Sequence, residues 1–106
     1  MLHSVTPWVT VALVAIRSFR HKGLQRFFVA GTRSGIQAKH ADRLRLILAR
    51  LNVAVEPQDM GLPGLALHAL KGKRHGRWAV KVSGNWRLTF AFDGTDPVDV
   101  DYEDYH

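Results

Sequence analysis

Six residues in the second half of the chain have the side-chain types needed for acid–base chemistry on a phosphate. A histidine titrates near neutral pH and can act as a base or an acid. Lysine and arginine stabilise the negative charge that develops on a phosphate oxygen, and arginine can donate two parallel hydrogen bonds. The chain places a histidine three positions before a lysine, then an arginine, and then a tail with further ionisable side chains. These residues are His68, Lys71, Arg87, Asp104, Tyr105 and His106.

Cleavage of RNA by its own 2′-hydroxyl is the reaction that these side chains suit. It needs a base for the 2′ proton, an acid for the leaving 5′ oxygen and cations around the phosphorane, while a tyrosine can stack on an unstacked base. Each candidate also has a non-catalytic interpretation. Arg87 can form a surface ion pair with Glu103, worth ~0–1 kcal/mol, and His106 can be an inert terminal residue. Residue type alone leaves both interpretations open, and does not say which histidine is the base.

The charge of the chain is unevenly distributed. The net charge is +6 over 106 residues, yet six of the nine acidic residues lie in the last fourteen positions. Residues 16–50 carry nine Lys or Arg and a single acid, and residues 71–87 carry six and no acid. Such basic segments fit a polyanion partner through contacts with its phosphates. The candidate phosphate-binding residues are Lys22, Lys73, Arg74, Arg77 and Lys81.

Composition excludes several classes of site and location. The chain has no cysteine, which excludes disulfides and thiolate zinc sites. The histidines His21, His40 and His75 lack the spacing of a metal site, so we expect no metal or other cofactor. The apolar stretch near the N terminus is too short to span a membrane and lacks the features of a secretory signal. We expect a cytoplasmic protein with one domain, residues 16–106, after a dispensable extension at residues 1–15.

Apolar periodicity predicts two helices and four strands. Residues 22–30 and 38–51 have apolar side chains at helical spacing, and Gly31 is a helix stop. The order β-α-α-β-β-β is typical of an α+β domain in which two N-terminal helices cover one face of a twisted, mainly antiparallel sheet. The predicted strands are residues 15–20, 78–83, 86–92 and 98–103.

The hairpin between the second and third strands can be aligned by its apolar residues. A two-residue loop would mix polar and apolar residues on both faces of the sheet. A three-residue loop at residues 83–85 pairs Val82 with Trp86 and Lys81 with Arg87, and keeps the large apolar side chains on one face. We therefore predict the three-residue loop.

The last strand is predicted from its alternation of apolar and acidic residues. Pairing Val98 with Phe92 sets Glu103 beside Arg87, on the face of the sheet that is not core. Because two helices can cover only the apolar face, we expect the opposite face to stay open to solvent or a ligand. The histidine loop and the C-terminal tail would flank that face and form one cationic pocket for the scissile phosphate.

Four short motifs resemble one toxin family. They are IRSFRHKGL at residues 16–24, HALKG at residues 68–72, NWRLTF at residues 85–90 and YEDYH at residues 102–106. In this order and spacing, on a small basic chain, they are similar to the HigB branch of the RelE/ParE toxin superfamily.

The resemblance implies a fold, an activity and partners. It implies a RelE-like fold and a ribosome-dependent mRNA endonuclease that has no metal cofactor and inhibits translation as the toxin of a type II toxin–antitoxin system. It implies a HigA-like antitoxin with a helix-turn-helix domain, through which alone the complex would bind operator DNA. It also implies that His68, Lys71, Arg87, Asp104, Tyr105 and His106 are the functional residues.

Two alternatives remain open at this stage. A ParE-like toxin on the same scaffold would poison DNA gyrase and would not need the histidines His68 and His106. A non-catalytic nucleic-acid-binding module would tolerate the loss of both while keeping a salt-dependent affinity.

Overall fold

The computed structural model describes residues 16–105, and residues 1–15 and His106 lie outside the described part. Within residues 16–105, two α-helices precede a four-stranded antiparallel sheet in which the strands follow one another in chain order. Three short 3₁₀ turns, Ala38–His40, Pro57–Met60 and Gly72–Arg74, join these elements. The helices are α1 (Lys22–Ala30) and α2 (Ala41–Val53), and the strands are β1 (His68–Ala69), β2 (Trp78–Ser83), β3 (Trp86–Asp93) and β4 (Asp96–Asp104).

Helix α1 has the predicted bounds because both of its ends are capped. At the start, the backbone N–H of Leu24 donates to Nδ1 of His21 over 2.9 Å. At the end, Gly31 takes the left-handed conformation with φ 77° and donates its N–H to the carbonyl of Phe27. Glycine adopts this conformation without the steric cost that a Cβ would add. The stop predicted at Gly31 is confirmed.

Helix α2 contributes more buried apolar residues to the core than α1. Its stripe of apolar residues, Leu44, Ile47, Leu48 and Leu51, is at most 3% exposed. The stripe packs in one cluster with the apolar face of the sheet, including Val80, Leu88, Phe90 and Val100. The predicted α+β arrangement, with two helices against one face of an antiparallel sheet, is confirmed.

The first strand differs from its prediction. Residues 16–20 do not form a regular strand, and only Phe19 makes a bridge, in parallel, with Val100 of β4. Backbone hydrogen bonds nevertheless join this segment to β4 on both sides of Asp99, whose φ is 53°: the N–H of Arg17 donates to the carbonyl of Pro97, and the N–H of Val100 donates to the carbonyl of Ser18. The fourth strand of the sheet is instead β1, which pairs with β2 through His68 opposite Ala79.

The hairpin loop has two residues, where three were predicted. Gly84 and Asn85 form the turn, and Ser83 pairs with Trp86. The pairing of Lys81 with Arg87 is as predicted, because a bulge between Lys81 and Ser83 shifts the register by one residue. The bulge thus keeps the apolar residues on one face, which is the effect that the longer loop was expected to supply.

Strand β4 contains a second bulge. Arg87 pairs with Glu103, as predicted, but Val98 pairs with Ala91 and not with Phe92. The register changes between Thr89 and Ala91, where two residues of β4 lie opposite one of β3. In residues 16–105, no helix is long and apolar enough to cross a membrane.

Candidate active site

The candidate site lies on the sheet face opposite the helices. Directly paired residues of neighbouring strands point to the same side of a sheet. One row of pairs joins His68 to Ala79, Thr89 and Asp101, and the next joins Lys81 to Arg87 and Glu103. The pairing therefore brings the predicted residues His68, Lys81 and Arg87 to one face.

Tyr105 joins this face from the end of β4. Its backbone N–H donates to the carbonyl of Asn85 over 2.8 Å, which fixes the tail to the hairpin turn. The guanidinium carbons of Arg87 and Arg74 lie 5.6 and 6.0 Å from the centre of the Tyr105 ring. Its buried hydroxyl has no hydrogen-bond partner among residues 16–105. The predicted contact between the tail and the strand arginine is therefore present at Tyr105.

Arg87 is held by the backbone of the hairpin and not by Glu103. Its Nη1 donates to the carbonyls of Gly84 at 2.7 Å and Trp86 at 3.1 Å. The ion pair with Glu103, which sequence reasoning offered as the non-catalytic interpretation, is taken by Arg74. Arg87 is therefore oriented over the hairpin end of the face, beside Tyr105.

Glu103 is the centre of a partly buried polar network. Its Oε2 accepts hydrogen bonds from Nη2 of Arg74 and from Oγ1 of Thr89, each at 2.5 Å. Nη2 of Arg77 in turn donates to Oγ1 of Thr89 at 2.9 Å and to the carbonyl of Asp99 at 2.8 Å. Thr89, expected on an open face, is fully buried, because this network covers it.

Arg77 lies beneath the face and not at its surface. Its side chain is only 8% exposed, and Nε and Nη1 have no hydrogen-bond partner within the described part of the chain. Burial lowers the pKa of Arg77 from its ordinary value, and the neighbouring Arg20 adds to that effect. A phosphate in solution can contact the exposed lysines more readily than the buried Arg77. The location of Arg77 therefore favours a role in supporting the face over direct contact with RNA.

The network shifts the pKa of its other two ionisable members. Burial alone would raise the pKa of Glu103, but the hydrogen bonds from Arg74 and Thr89 outweigh it and hold that pKa below its ordinary value. The hydrogen bond to Glu103 raises the pKa of Arg74. Both groups therefore stay charged throughout the neutral range.

His68 is exposed on the edge strand, and its hydrogen bond selects a tautomer. Nδ1 lies 3.1 Å from the carbonyl of Ala66. A carbonyl can only accept, so Nδ1 of the neutral ring carries the proton and Nε2 is left as the basic nitrogen. The sequence could not supply this assignment, because it depends on the position of Ala66, whose backbone has a φ of 50°.

Other predicted residues lie around the face or away from it. Lys71 and Lys73 are exposed at the 3₁₀ turn between β1 and β2, and Lys22 is exposed at the start of α1. Asp104 pairs with Trp86, so strand alternation places it on the opposite side of the sheet from Tyr105. His106 lies outside the described residues.

The family of the chain is shown by comparison with known proteins. The family model of the RelE-like toxin of the type II toxin–antitoxin system HigB matches residues 17–106. The chain belongs to this family. A curated relative, Endoribonuclease HigB of Proteus vulgaris, is 42% identical over 91 residues, which cover 86% of this chain and 99% of that protein. The predicted resemblance is confirmed, and membership of a type II family implies an antitoxin as partner.

A second cluster of this HigB-like toxin was not found by sequence reasoning. On the helix side of the sheet, Nδ1 of buried His40 lies 2.5 Å from the hydroxyl of Tyr102. The Tyr102 ring packs at 4.5 Å from Trp86 and 5.4 Å from His21, measured between ring centres. Burial lowers the pKa of His40 and raises that of Tyr102. His21 and His40 therefore pack against Tyr102 at the edge of the hydrophobic core.

The Glu103 network was also only partly visible in the sequence of this toxin. The register argument set Glu103 beside Arg87 but did not identify Arg74 and Thr89 as its partners. The signal was available in part, because Thr89 and Glu103 share the non-core face by alternation. Within the described part of the chain, no group of three His, Asp or Glu side chains could hold a metal ion.

Proposed function

We propose that the chain is a metal-independent endoribonuclease that cleaves mRNA on the ribosome and thereby inhibits translation. The observation that carries this proposal is that strand register places His68 on the same face of the sheet as Arg87, which lies against the Tyr105 ring, together with exposed lysines. The printed name of the relative, Endoribonuclease HigB, supports the same class of reaction.

The side chains divide the chemistry between them. His68 uses its free Nε2 as the base that takes the 2′ proton, while Arg87 and Lys71 stabilise the charge on the phosphorane. The Tyr105 ring stacks on a base that has left the RNA helix. The acid that protonates the 5′ oxygen is His106. Asp104, which strand alternation places on the opposite side of the sheet from Tyr105, has no direct part in these roles.

The exposed cations form the path for the RNA backbone. Lys73, in the turn before β2, and Lys81, within β2, are both exposed, and Arg74 lies over Tyr105. Lys22, exposed at the start of α1, is a further candidate for contact with RNA phosphates. Arg77 supports this surface from beneath.

Mapping mRNA 5′ ends after induced expression, with translation running and with translation blocked, tests this function. We expect new 5′ ends inside translated codons only when ribosomes are engaged. Cleavage that persists without ribosomes would overturn ribosome dependence. Intact mRNA with gyrase-linked DNA breaks would favour the ParE-like alternative, and intact mRNA with salt-dependent RNA binding would favour a binding module.

We also propose a HigA-like antitoxin with a helix-turn-helix domain as the partner, through which the complex binds operator DNA. The helix side offers a groove of apolar and basic character between α2 and residues 62–65, where Leu46 is 72% and Leu62 is 38% exposed. Arg43 and Arg50 line the same groove, so an acidic segment with apolar side chains fits it. Leu46→Asp should abolish co-purification with the antitoxin while cleavage persists. Unchanged co-purification would contradict this location.

Residues 1–15 are proposed to be dispensable, and the cytoplasm, where ribosomes work, is the proposed location. The family match begins at residue 17, and Ile16 is already buried in the core. A protein starting with Met directly before Ile16 should arrest growth as fully as the whole chain. Loss of toxicity without loss of folding would contradict this proposal.

A further inference from the structure

We propose that Glu103 is a positioning residue for RNA cleavage and acts through Arg74 on Tyr105. This inference rests on the proposed function. Glu103 itself is a poor ligand for RNA, because a carboxylate repels phosphate. Its side chain is 21% exposed and its Oε2 holds Arg74 by a charged hydrogen bond of 2.5 Å.

The location of Arg74 makes its orientation depend on an anchoring partner. This arginine belongs to the short 3₁₀ turn Gly72–Arg74, and its side chain is 39% exposed. An arginine with no anchor at such a place samples many rotamers. The bond to Glu103 confines the guanidinium to the neighbourhood of the Tyr105 ring, 6.0 Å from its centre.

Glu103 is itself held in place by Thr89 and, through it, by Arg77. Thr89, fully buried in β3, donates its hydroxyl hydrogen to Glu103 and accepts from Arg77. Arg77 is fixed to the carbonyl of Asp99. The carboxylate is therefore fixed relative to the sheet, and its hydrogen bond to Arg74 fixes that guanidinium in turn.

The charges on this face predict that loss of the Glu103 carboxylate strengthens RNA binding but slows cleavage. Arg74 binds the Glu103 carboxylate, Arg77 binds Thr89 next to it, and Arg87 lies over Tyr105 on the same face. Removing the negative charge should strengthen the attraction for RNA, since attraction for phosphates grows with net positive charge. A positioning role predicts that cleavage nevertheless becomes slower, because misplacement by about 1 Å can cost on the order of a hundredfold in rate.

The test is single-turnover cleavage of mRNA on programmed ribosomes by the full chain. Glu103→Gln should cleave about ten to a hundred times more slowly at saturating protein. The half-saturating concentration should be unchanged or lower. A matched control is Asp96→Asn, which removes a carboxylate from the same strand at a position that pairs with Arg17 and not with Arg74, and which should cleave at the wild-type rate.

A double-mutant cycle tests whether Glu103 acts through Arg74. In an Arg74→Ala background, adding Glu103→Gln should change the rate less than about twofold, because the shared contact is already lost. An undiminished effect of Glu103→Gln in that background would overturn the inference. So would wild-type cleavage by Glu103→Gln.

Folding is controlled by circular dichroism and thermal melting of each variant. If Glu103→Gln does not fold, Arg74→Ala replaces it, because Arg74 lies in an exposed turn. Arg74→Ala should lower the cleavage rate at saturating protein by the same factor. Arg74→Lys should restore part of that rate. A full rate for Arg74→Ala would overturn the inference. Intact mRNA with the wild-type protein would overturn the proposed function together with this inference, whereas wild-type cleavage and a fully active Glu103→Gln would overturn this inference alone.

Discussion

At the scale of single residues, the site depends on side chains whose orientation is set by backbone carbonyls. Arg87 is aimed by the carbonyls of Gly84 and Trp86, and His68 is aimed by that of Ala66. These hydrogen bonds restrict the rotamers of both side chains, which would therefore be oriented before RNA binds at the proposed site. Preorganised donors are the largest source of transition-state stabilisation in many enzymes.

Arg87→Ala should remove the charge stabilisation of the phosphorane. We expect single-turnover cleavage to fall by about a hundred to a thousandfold, in line with the loss of one preorganised donor. Growth arrest should disappear, while co-purification with the antitoxin remains. Arg33→Ala, which removes the same charge from an exposed turn on the helical side, is the control and should remain toxic. Equal toxicity of the two variants would contradict the role of Arg87.

His40 should make stability depend on pH in the weakly acidic range. Burial, with a smaller contribution from Lys39, holds the pKa of His40 below its ordinary value, so the folded protein binds this proton less readily than the unfolded chain. The free energy of unfolding should therefore fall as the pH drops below about 6.5. The hydroxyl of Tyr102 faces His40, and Tyr102 itself stays protonated in this range.

The comparison of wild type with His40→Gln isolates this effect. Urea unfolding at pH values between about 5 and 7 should show a smaller slope of stability against pH for the variant. Glu103 does not confuse the result. Its lowered pKa gives stability that is lost only at more acidic pH, below the ordinary Glu value of about 4.3. Equal slopes for both proteins would contradict the assignment to His40.

At the scale of elements, the start of α1 is fixed by a close contact between two glycines. A Cβ on Gly23 would lie 2.6 Å from the carbonyl oxygen of Gly35 and 2.8 Å from its Cα. Both are backbone atoms, so no side-chain rotation can relieve the clash. The helix and the turn that follows it must move apart.

Gly23→Ala should therefore destabilise the domain although alanine is the better helix former. We expect a loss of about 1–3 kcal/mol in the free energy of unfolding by urea, as for other overpacked sites. Gln25→Ala, two positions along the same helix and exposed, should change it by less than about 0.5 kcal/mol. A Gly23→Ala protein as stable as wild type would show that the turn yields at no cost.

The sequence predicts elements well where a repeating pattern is long. Helix α1 and the apolar faces of β2 and β3 follow from spacing alone. Strand β1 does not, because its two residues have no period and are extended only by pairing with β2. The burial of Arg77 is equally invisible, since in a run with Lys73 and Arg74 nothing local distinguishes the one cation that turns inward.

At the scale of the whole molecule, the sheet separates two working surfaces. The helices cover one face and leave a groove of leucine and arginine side chains on their outer side. The cationic face with His68, Arg87 and Tyr105 looks the other way. An antitoxin bound in the groove and an RNA bound at the cationic face would therefore not compete for the same atoms. Inhibition would then arise from the bulk of the antitoxin, which would keep the toxin out of the ribosome.

The bulge at residues 99–100 has a consequence for the tail. Before the bulge, the odd-numbered Pro97 is buried, and after it the even-numbered Val100 and Tyr102 are buried. The chain thus changes parity once within β4. If the same residues of β4 paired regularly from Pro97 onward, with no bulge, Val100 and Tyr102 would lie on the face away from the helices and Glu103 would lie on the core face. The bulge therefore sets which side chains of the C-terminal strand face the apolar core and which face the proposed RNA surface.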